Sequence, residues 1–281
     1  MYIKAGIQFR SDDSSFTDRI IAALSFIGCE GIEESAHTID GWFRAEAFSE
    51  KTLREVLSPF FREDSFFSLE IESVPEVNWN AEWEKNFPPA VINQDCRIRA
   101  PFHHFPVDCT YDIIIEPKMA FGTGHHATTF LMLEELLKTE VAGTKILDAG
   151  TGTGVLSVLA SMRGASLVFA CDIDKHAVDN AAENFRRNKI SNVMLIYGSV
   201  KEISETGFDG ILANINKNVL LSEMPYYAHH MKEGGFLLCS GFFREDAEEI
   251  SIMAEKNFLE LSHMSAREGW AALYFRKKSQ I

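Results

Sequence analysis

The sequence has few cysteines, and none of them are close together. The five cysteines among 281 residues are odd in number and widely spaced. No two stand at C-x-x-C spacing, so neither a zinc knuckle nor a disulfide framework is predicted. The adjacent His125 and His126 are the nearest approach to a metal pair. Adjacent side chains rarely converge and no carboxylate partner follows them, so we expect no metal site.

Long apolar runs are also missing. The first residues, MYIKAGIQFRSDDSS, lack the apolar core of a signal peptide. No uninterrupted apolar run reaches about 18 residues, the length that a membrane-spanning helix needs. The sequence therefore predicts a soluble cytoplasmic protein without membrane contact.

Positive charge is scarce. Lysine and arginine number 27 against 41 aspartates and glutamates, giving a formal net charge of −14. Proteins that grip phosphate backbones gain affinity through Lys and Arg contacts that release counterions. This balance argues against direct nucleic-acid readout and favours encounter with a basic partner.

The first part of the chain, residues 1–74, predicts a small α+β domain. Alternating and helical patterns follow one another in the order β-α-β-β-α-β, which is that of a ferredoxin-like unit. Two extended runs, residues 32–39 and 42–48, flank Asp40 and Gly41. Because Asp-Gly tolerates the backbone of a tight hairpin, we expect the turn there. Residues 75–97, which contain prolines and two tryptophans, are expected to form a linker with one short helix.

From residue 98 to 281 strands and helices alternate, which predicts a single α/β domain. Such a rhythm is typical of a doubly wound, Rossmann-like parallel sheet. Two extended runs around residues 266–269 add a final antiparallel hairpin, for an expected total of about seven strands. Strand patterns occupy residues 145–148, 167–172, 193–197, 210–213 and 235–240, and helical patterns occupy 155–162, 176–188, 220–231 and 245–257.

The strongest motif is ILDAGTGTGVLSVLA, residues 146–160. A strand ends near Asp148, glycines follow at positions 150, 152 and 154, and a helix begins. Glycines here allow a tight turn and let a ligand approach the N–H groups of the helix. In nucleoside-binding folds an acid ends the next strand, about 20 residues on, and binds the ribose hydroxyls. Asp172 is that acid.

The glycine spacing separates two cofactor classes. The dinucleotide fingerprint G-x-G-x-x-G needs glycine at position 155, where this chain has Val155. The spacing G-x-G-x-G instead resembles motif I of the class I S-adenosylmethionine-dependent methyltransferases. A nicotinamide-dependent oxidoreductase and a non-catalytic S-adenosylmethionine-binding protein remain as alternatives.

Further segments narrow the resemblance to one family. EPKMAFGTGHHATT (residues 116–129), DIDKHAVDNAAENFRRN (172–188) and LANINKNVL (212–220), together with motif I, resemble the ribosomal protein methyltransferase A family. The resemblance implies S-adenosyl-L-methionine as cofactor and methylation of lysine and N-terminal amines. The implied partner is the basic ribosomal protein eleven of the large subunit. Because every cofactor motif lies after residue 115, we expect residues 1–74 to form a substrate-recognition domain.

The resemblance also implies site residues. The cofactor contacts of the family fall on Thr129, Gly150, Asp172 and Asn214, and we expect the neighbouring Asp148, Gly152, Phe121, Gly122 and Thr123 to contribute. Asn214 is the candidate catalytic residue, because its amide could orient the incoming amine. A structural alternative is that Asn214 caps the next helix. The chain departs from the usual family residues, Thr and Pro, at His125 and Ala127.

Overall fold

The computed structural model describes residues 1–9, 16–35, 37–60, 67–74, 87–104, 106, 108–117 and 122–279. The chain divides into two compact units, Met1–Asn86 and Phe87–Ile281. The expected linker helix would fall mainly in residues 75–86, which lie outside the described residues. Residues 87–97 belong to the second unit, so that unit begins earlier than the expected residue 98. The reason is packing, since Cys96 and Ile98 are buried in its core.

The first unit has the expected β-α-β-β-α-β order. Its four strands form one antiparallel sheet in the order β2-β3-β1-β4. The hydroxyl of Ser49 caps α2 by accepting a hydrogen bond from the N–H of Thr52. The elements are β1 (Tyr2–Phe9), α1 (Phe16–Phe26), β2 (Gly31–Ser35), β3 (Thr38–Arg44), α2 (Glu50–Leu57) and β4 (Phe67–Val74).

The prediction of a hairpin turn at Asp40 and Gly41 is wrong. These residues lie in the middle of β3, and the connection between β2 and β3 falls earlier, between Ser35 and Thr38. Asp40 forms an ion pair with Lys4 of β1, 2.8 Å away. A Cβ on Gly41 would lie 3.3 Å from a methyl of Leu24 in α1. Gly41 therefore lets the helix pack closely on the sheet, and no turn is involved.

A small sheet that the sequence did not reveal opens the second unit. It contains β5 (Ala90–Val91), β6 (Cys96–Arg99) and β7 (Tyr111–Ile114), with β5–β6 antiparallel and β6–β7 parallel. Asp112 of β7 forms ion pairs with Arg97, 3.0 Å away, and with Arg99, 2.8 Å away. These pairs fasten β7 to its neighbour.

The main sheet has seven strands in the order β10-β9-β8-β11-β12-β14-β13, as expected for a doubly wound α/β domain. All neighbours pair in parallel except β14, which is antiparallel to both β12 and β13. The strands are β8 (Lys145–Ala149), β9 (Leu167–Asp172), β10 (Val193–Tyr197), β11 (Phe208–Asn214), β12 (Met231–Phe243), β13 (Leu259–Arg267) and β14 (Trp270–Lys277). The helices are α3 (Ala127–Lys138), α4 (Val155–Met162), α5 (Lys175–Arg187), α6 (Lys217–His230) and α7 (Ala247–Lys256).

Successive side chains of each strand point to opposite faces of this sheet and belong to two different hydrophobic clusters. Ile146 and Leu212 join the cluster that includes α3 and α4. Leu147 and Ala213 join the other cluster, which includes α6 and α7. The strand order reverses at β8, whose two neighbours are β9 and β11. Ligands of open α/β sheets bind at the carboxyl ends of the strands at such a point. None of the helices that the structure describes is long and apolar enough to cross a membrane.

Candidate functional site

The glycine-rich loop turns sharply after β8. Gly150, Gly152 and Gly154 have φ of +72°, +56° and +82°, a region that favours glycine. A Cβ on Gly150 would also lie 2.4 Å from a methyl of Ile215. Gly154 is the N-cap of α4. Strand, turn and helix N-terminus therefore stand as the motif predicts.

Asp172 ends β9 beside this loop. Its Oδ2 accepts a hydrogen bond from the N–H of Gly152, and its Oδ1 accepts one from the N–H of Asp174, both at 2.9 Å. These bonds fix the carboxylate while the residue still lines a cavity. The arrangement gives a fixed carboxylate acceptor at the end of the second strand of the motif.

Asp148 is sealed inside the protein, with no exposed surface. Its Oδ2 accepts hydrogen bonds from the hydroxyls of Thr151, at 2.7 Å, and Ser157, at 2.6 Å. Its Oδ1 has no partner among the described residues. Burial raises the pKa of Asp148 to about 6, and the two hydroxyls only partly oppose this. The unpartnered oxygen leaves room for one more donor.

Asn214 ends β11 and lies next to α3. Its Nδ2 donates a hydrogen bond to the hydroxyl of Thr129, 3.3 Å away, which is fully buried. The cap of the following helix is Asn216, whose Oδ1 accepts from the N–H of Val219 at 3.1 Å. The capping role considered for Asn214 is therefore wrong, and its amide stays at the cavity wall.

The segment before α3 is held against the glycine-rich loop. The hydroxyl of Thr153 donates to the carbonyl of Gly122 at 2.7 Å. Thr123 Oγ1 and His125 Nδ1 are 3.3 Å apart in a hydrogen bond. Phe121, also expected at the site, lies outside the described residues. The segment before α3 and the glycine-rich loop thus meet in the fold.

A cavity of about 570 Å³ opens at the carboxyl ends of β8, β9 and β11. Of the expected site residues, Gly150, Gly152, Asp172 and Asn214 line it. Thr129, Asp148, Gly122 and Thr123 do not line it. Among the described residues, no cluster of three or more His, Cys, Asp and Glu side chains could hold a metal ion.

Comparison with known protein families identifies a match. The model of the family described as ribosomal protein L11 methyltransferase (PrmA) matches residues 6–278. The chain belongs to this family.

Relatives with names match most or nearly all of the chain. It is similar to the ribosomal protein L11 methyltransferase of Phocaeicola vulgatus, with 37% identity over 279 residues and 99% of each chain covered. The ribosomal protein L11 methyltransferase of Porphyromonas gingivalis is 39% identical over 264 residues, covering 93% of this chain and 91% of its own. The crystal structure of ribosomal protein L11 methylase from Lactobacillus delbrueckii subsp. bulgaricus aligns with a TM-score of 0.64 and 26% identity, covering 69% of this chain and 100% of that one.

Two aromatic residues that line the cavity, His126 and Trp270, are not predicted from the sequence of this family member. His126 and Trp270 pack with ring centroids 4.8 Å apart, and Phe243 stacks on Trp270 at 4.2 Å. His126 also caps α3 by accepting from the N–H of Thr128. His126 belongs to the segment that resembles the family, but the sequence does not indicate its place at the cavity. Trp270 begins the last strand, and nothing in its local sequence indicates a cavity.

Residues after β10 and on α6 were missed as well. Gly198, Ser199 and Val200 follow β10 and line the cavity, together with Val219 and Glu223 of α6. The position of Gly198 to Val200 could have been found, because the end of the third strand of a doubly wound sheet meets the same edge. Glu223 could have been found from the sequence as an acidic residue at a position that helical periodicity assigns to the buried face of α6.

Proposed function

We propose that this protein transfers methyl groups from S-adenosyl-L-methionine to lysine and N-terminal amines of ribosomal protein L11. The observation that carries the proposal is the family match across residues 6–278. It is supported by a cavity built from the glycine-rich loop and an acid-ended strand, which suits a nucleoside cofactor.

The residues around the cavity fit this cofactor. Gly150 and Gly152 hold the positive-φ turn that brings the loop to the cavity, and a Cβ on Gly150 would collide with Ile215, another lining residue. We assign Asp172 to the ribose hydroxyls, since an ionised carboxylate accepts strong hydrogen bonds. The buried, unpartnered Oδ1 of Asp148 suits an ordered water behind the cavity wall. In the same proposal Thr129, Gly122, Thr123 and Phe121 support the methionine end of the cofactor.

The reaction places two demands on the chain. The bound cofactor supplies a methyl group on a sulfonium, which reacts by in-line displacement and needs mainly positioning, worth roughly 7–11 kcal/mol. The acceptor amine must first lose its proton. For a lysine of pKa about 10.4 near neutral pH this costs about 4 kcal/mol. Apolar walls such as Trp270 and Ile215 favour the neutral amine, and Asn214 would orient it.

The first unit is the proposed substrate-recognition domain. Its strand order and connections support a ferredoxin-like fold. Asp40, Glu70 and Glu72 line a groove of about 240 Å³ on its sheet, with Lys4 as the nearby cation. An acidic groove in a chain of net charge −14 suits a basic ribosomal protein. We place the reaction in the cytoplasm, where ribosomal proteins are made.

A methyl-transfer assay tests the whole proposal. The purified protein is incubated with tritium-labelled S-adenosylmethionine and separated ribosomal proteins, and modified residues are identified by mass spectrometry. Label on lysine or α-amino groups of L11 is expected. Label confined to another ribosomal protein, or to none, would overturn the substrate assignment. Binding of NADH in place of S-adenosylmethionine would overturn the cofactor assignment.

A further inference from the structure

Helix α6 carries one acidic side chain on its buried face. Glu223 is 7% exposed and lies on the same stripe as the fully buried Leu220 and Tyr227. Its Oε2 accepts a hydrogen bond from the hydroxyl of Tyr227, 2.7 Å away. Its Oε1 accepts none from the residues that the structure describes. Because Glu223 lines the cavity, a donor on a bound ligand can reach this oxygen.

The surroundings of Glu223 leave that donor to a ligand. Among the described residues that line the cavity there is no lysine or arginine. Nearby Cys171 stays a neutral thiol, because burial, with smaller contributions from carboxylates that include Glu223, raises its pKa to about 12. Val219 and Val200 are apolar. Glu223 is thus an acceptor with apolar side chains near it, in a cavity that Asp172 and Asp174 also line.

The position of this acceptor identifies the part of the ligand that would reach it. With the ribose at Asp172, the end of β10 lies on one side and Asn214 on the other, beyond β8. Helix α6 packs against the turn after β10, where Lys201 Nζ lies 5.6 Å from the ring centre of Tyr226. If the reacting methyl faces Asn214, the base extends toward Val200 and α6. Adenine packs against apolar side chains and carries an exocyclic amine that donates hydrogen bonds.

We propose that Oε1 of Glu223 accepts a hydrogen bond from the exocyclic amine of the cofactor's adenine and so selects adenine over hypoxanthine. The inference rests on the proposed function, because S-adenosylmethionine sets the ribose at Asp172. Tyr227 then acts as a positioning residue. Burial, with Glu223 nearby, raises the pKa of Tyr227 well above its ordinary value, so its hydroxyl remains a donor that fixes the carboxylate.

Paired ligands test this role on the full-length protein. Dissociation constants are measured by calorimetry for S-adenosylhomocysteine and for S-inosylhomocysteine, which has a carbonyl in place of the amine. The native protein is expected to bind the adenosyl ligand at least tenfold more tightly, since hydrogen bonds to charged groups are strong. In Glu223→Gln the side chain keeps its shape, and its amide can also donate to the carbonyl. The preference should therefore fall to about threefold or less, and Glu223→Ala should abolish it.

A control removes the same charge elsewhere. Glu255→Gln changes an exposed carboxylate on α7 and should leave the ratio of the two constants at the native value. An unchanged ratio in both Glu223 variants, or a native protein that binds the two ligands equally, would overturn this inference while leaving the methyltransferase assignment intact. Failure of the native protein to bind either ligand would overturn the proposed function, and this inference with it. Thermal melting of each variant confirms that it is folded.

Discussion

Asn214→Ala separates a catalytic from a structural role for the amide at the end of β11. The change removes one hydrogen bond, the 3.3 Å contact from Nδ2 to Thr129 Oγ1. A net contribution of about 0.5–1.5 kcal/mol is usual for such a bond, and this one is long. In a chain of this size about 1 kcal/mol lowers the melting temperature by roughly 2–4 °C. We therefore expect only a small loss of stability.

The effect on turnover should be larger. If the amide holds the acceptor nitrogen in line with the methyl group, its loss reduces the methylation rate at saturating substrates by at least tenfold, or about 1.4 kcal/mol of barrier. Tritium transfer to L11 measures the rate, and calorimetry on the same preparation measures the melting temperature.

Ser240→Ala is a matched control. Ser240 pairs with Asn214 across β11 and β12, and its buried hydroxyl donates to the carbonyl of Ala271 at 2.7 Å. The residue does not line the cavity. Its replacement should lower stability by about 1 kcal/mol and leave the rate within twofold of native. An Asn214→Ala protein that melts early but methylates at the native rate would refute the catalytic role.

Three other changes test the cofactor site and the division of the chain. Asp172→Ala should weaken S-adenosylmethionine binding about 10- to 150-fold, since a charged acceptor is lost; an unchanged calorimetric constant would contradict the ribose assignment. Asp148→Asn should stabilise the ligand-free protein at pH 7, because burial raises the pKa of the native carboxyl to about 6 from its ordinary 3.8. Native stability should then fall by up to about 3 kcal/mol as pH rises from about 4 to 6, and this slope should be absent from the variant; equal slopes in urea titrations would show the reasoning to be wrong. A chain beginning at Phe87 should still bind S-adenosylmethionine but methylate L11 far more slowly, and full activity would argue against substrate recognition by the first unit.

The main sheet could be predicted because its signals are long and consistent. Each predicted strand and helix of the doubly wound part is found, with ends shifted by a few residues. The glycine loop and Asp172 were predictable because a turn that only glycine can make stands at a fixed place between a strand and a helix. Local chemistry and overall topology agree there, so the short sequence pattern is sufficient.

Short elements could not be predicted in the same way. The strand Ala90–Val91 has two residues, too few for an alternating pattern. It exists because its partner β6 is anchored by buried Cys96 and Ile98. For this reason a truncation at Asp95, which the predicted linker would suggest, removes part of the second unit.

The Asp40–Gly41 pair illustrates a different failure. Asp-Gly is a strong turn signal because both residues tolerate unusual backbone angles. In this chain Gly41 has extended backbone in a strand, and it is small because Leu24 and Cys29 press on it. A glycine required by a close approach and a glycine required by a turn look the same in one sequence. Only the position of the helix distinguishes them.

The charged residues of the site follow a rule that the sequence does contain. Asp148 interrupts the apolar strand ILDA, and Glu223 interrupts the buried stripe of α6. An acidic residue at a position that periodicity assigns to the core must be paired, neutralised or reserved for a ligand. Two hydroxyls donate hydrogen bonds to Asp148, and one hydroxyl donates to Glu223. Among the described residues, Asp148 Oδ1 is buried without a partner, and Glu223 Oε1 accepts no hydrogen bond. Hydrophobic periodicity with a single acidic exception is therefore a sign of a binding site as well as a measure of burial: here Glu223 lines the cavity, and Asp148 lies on the strand that leads into the glycine-rich loop of that cavity.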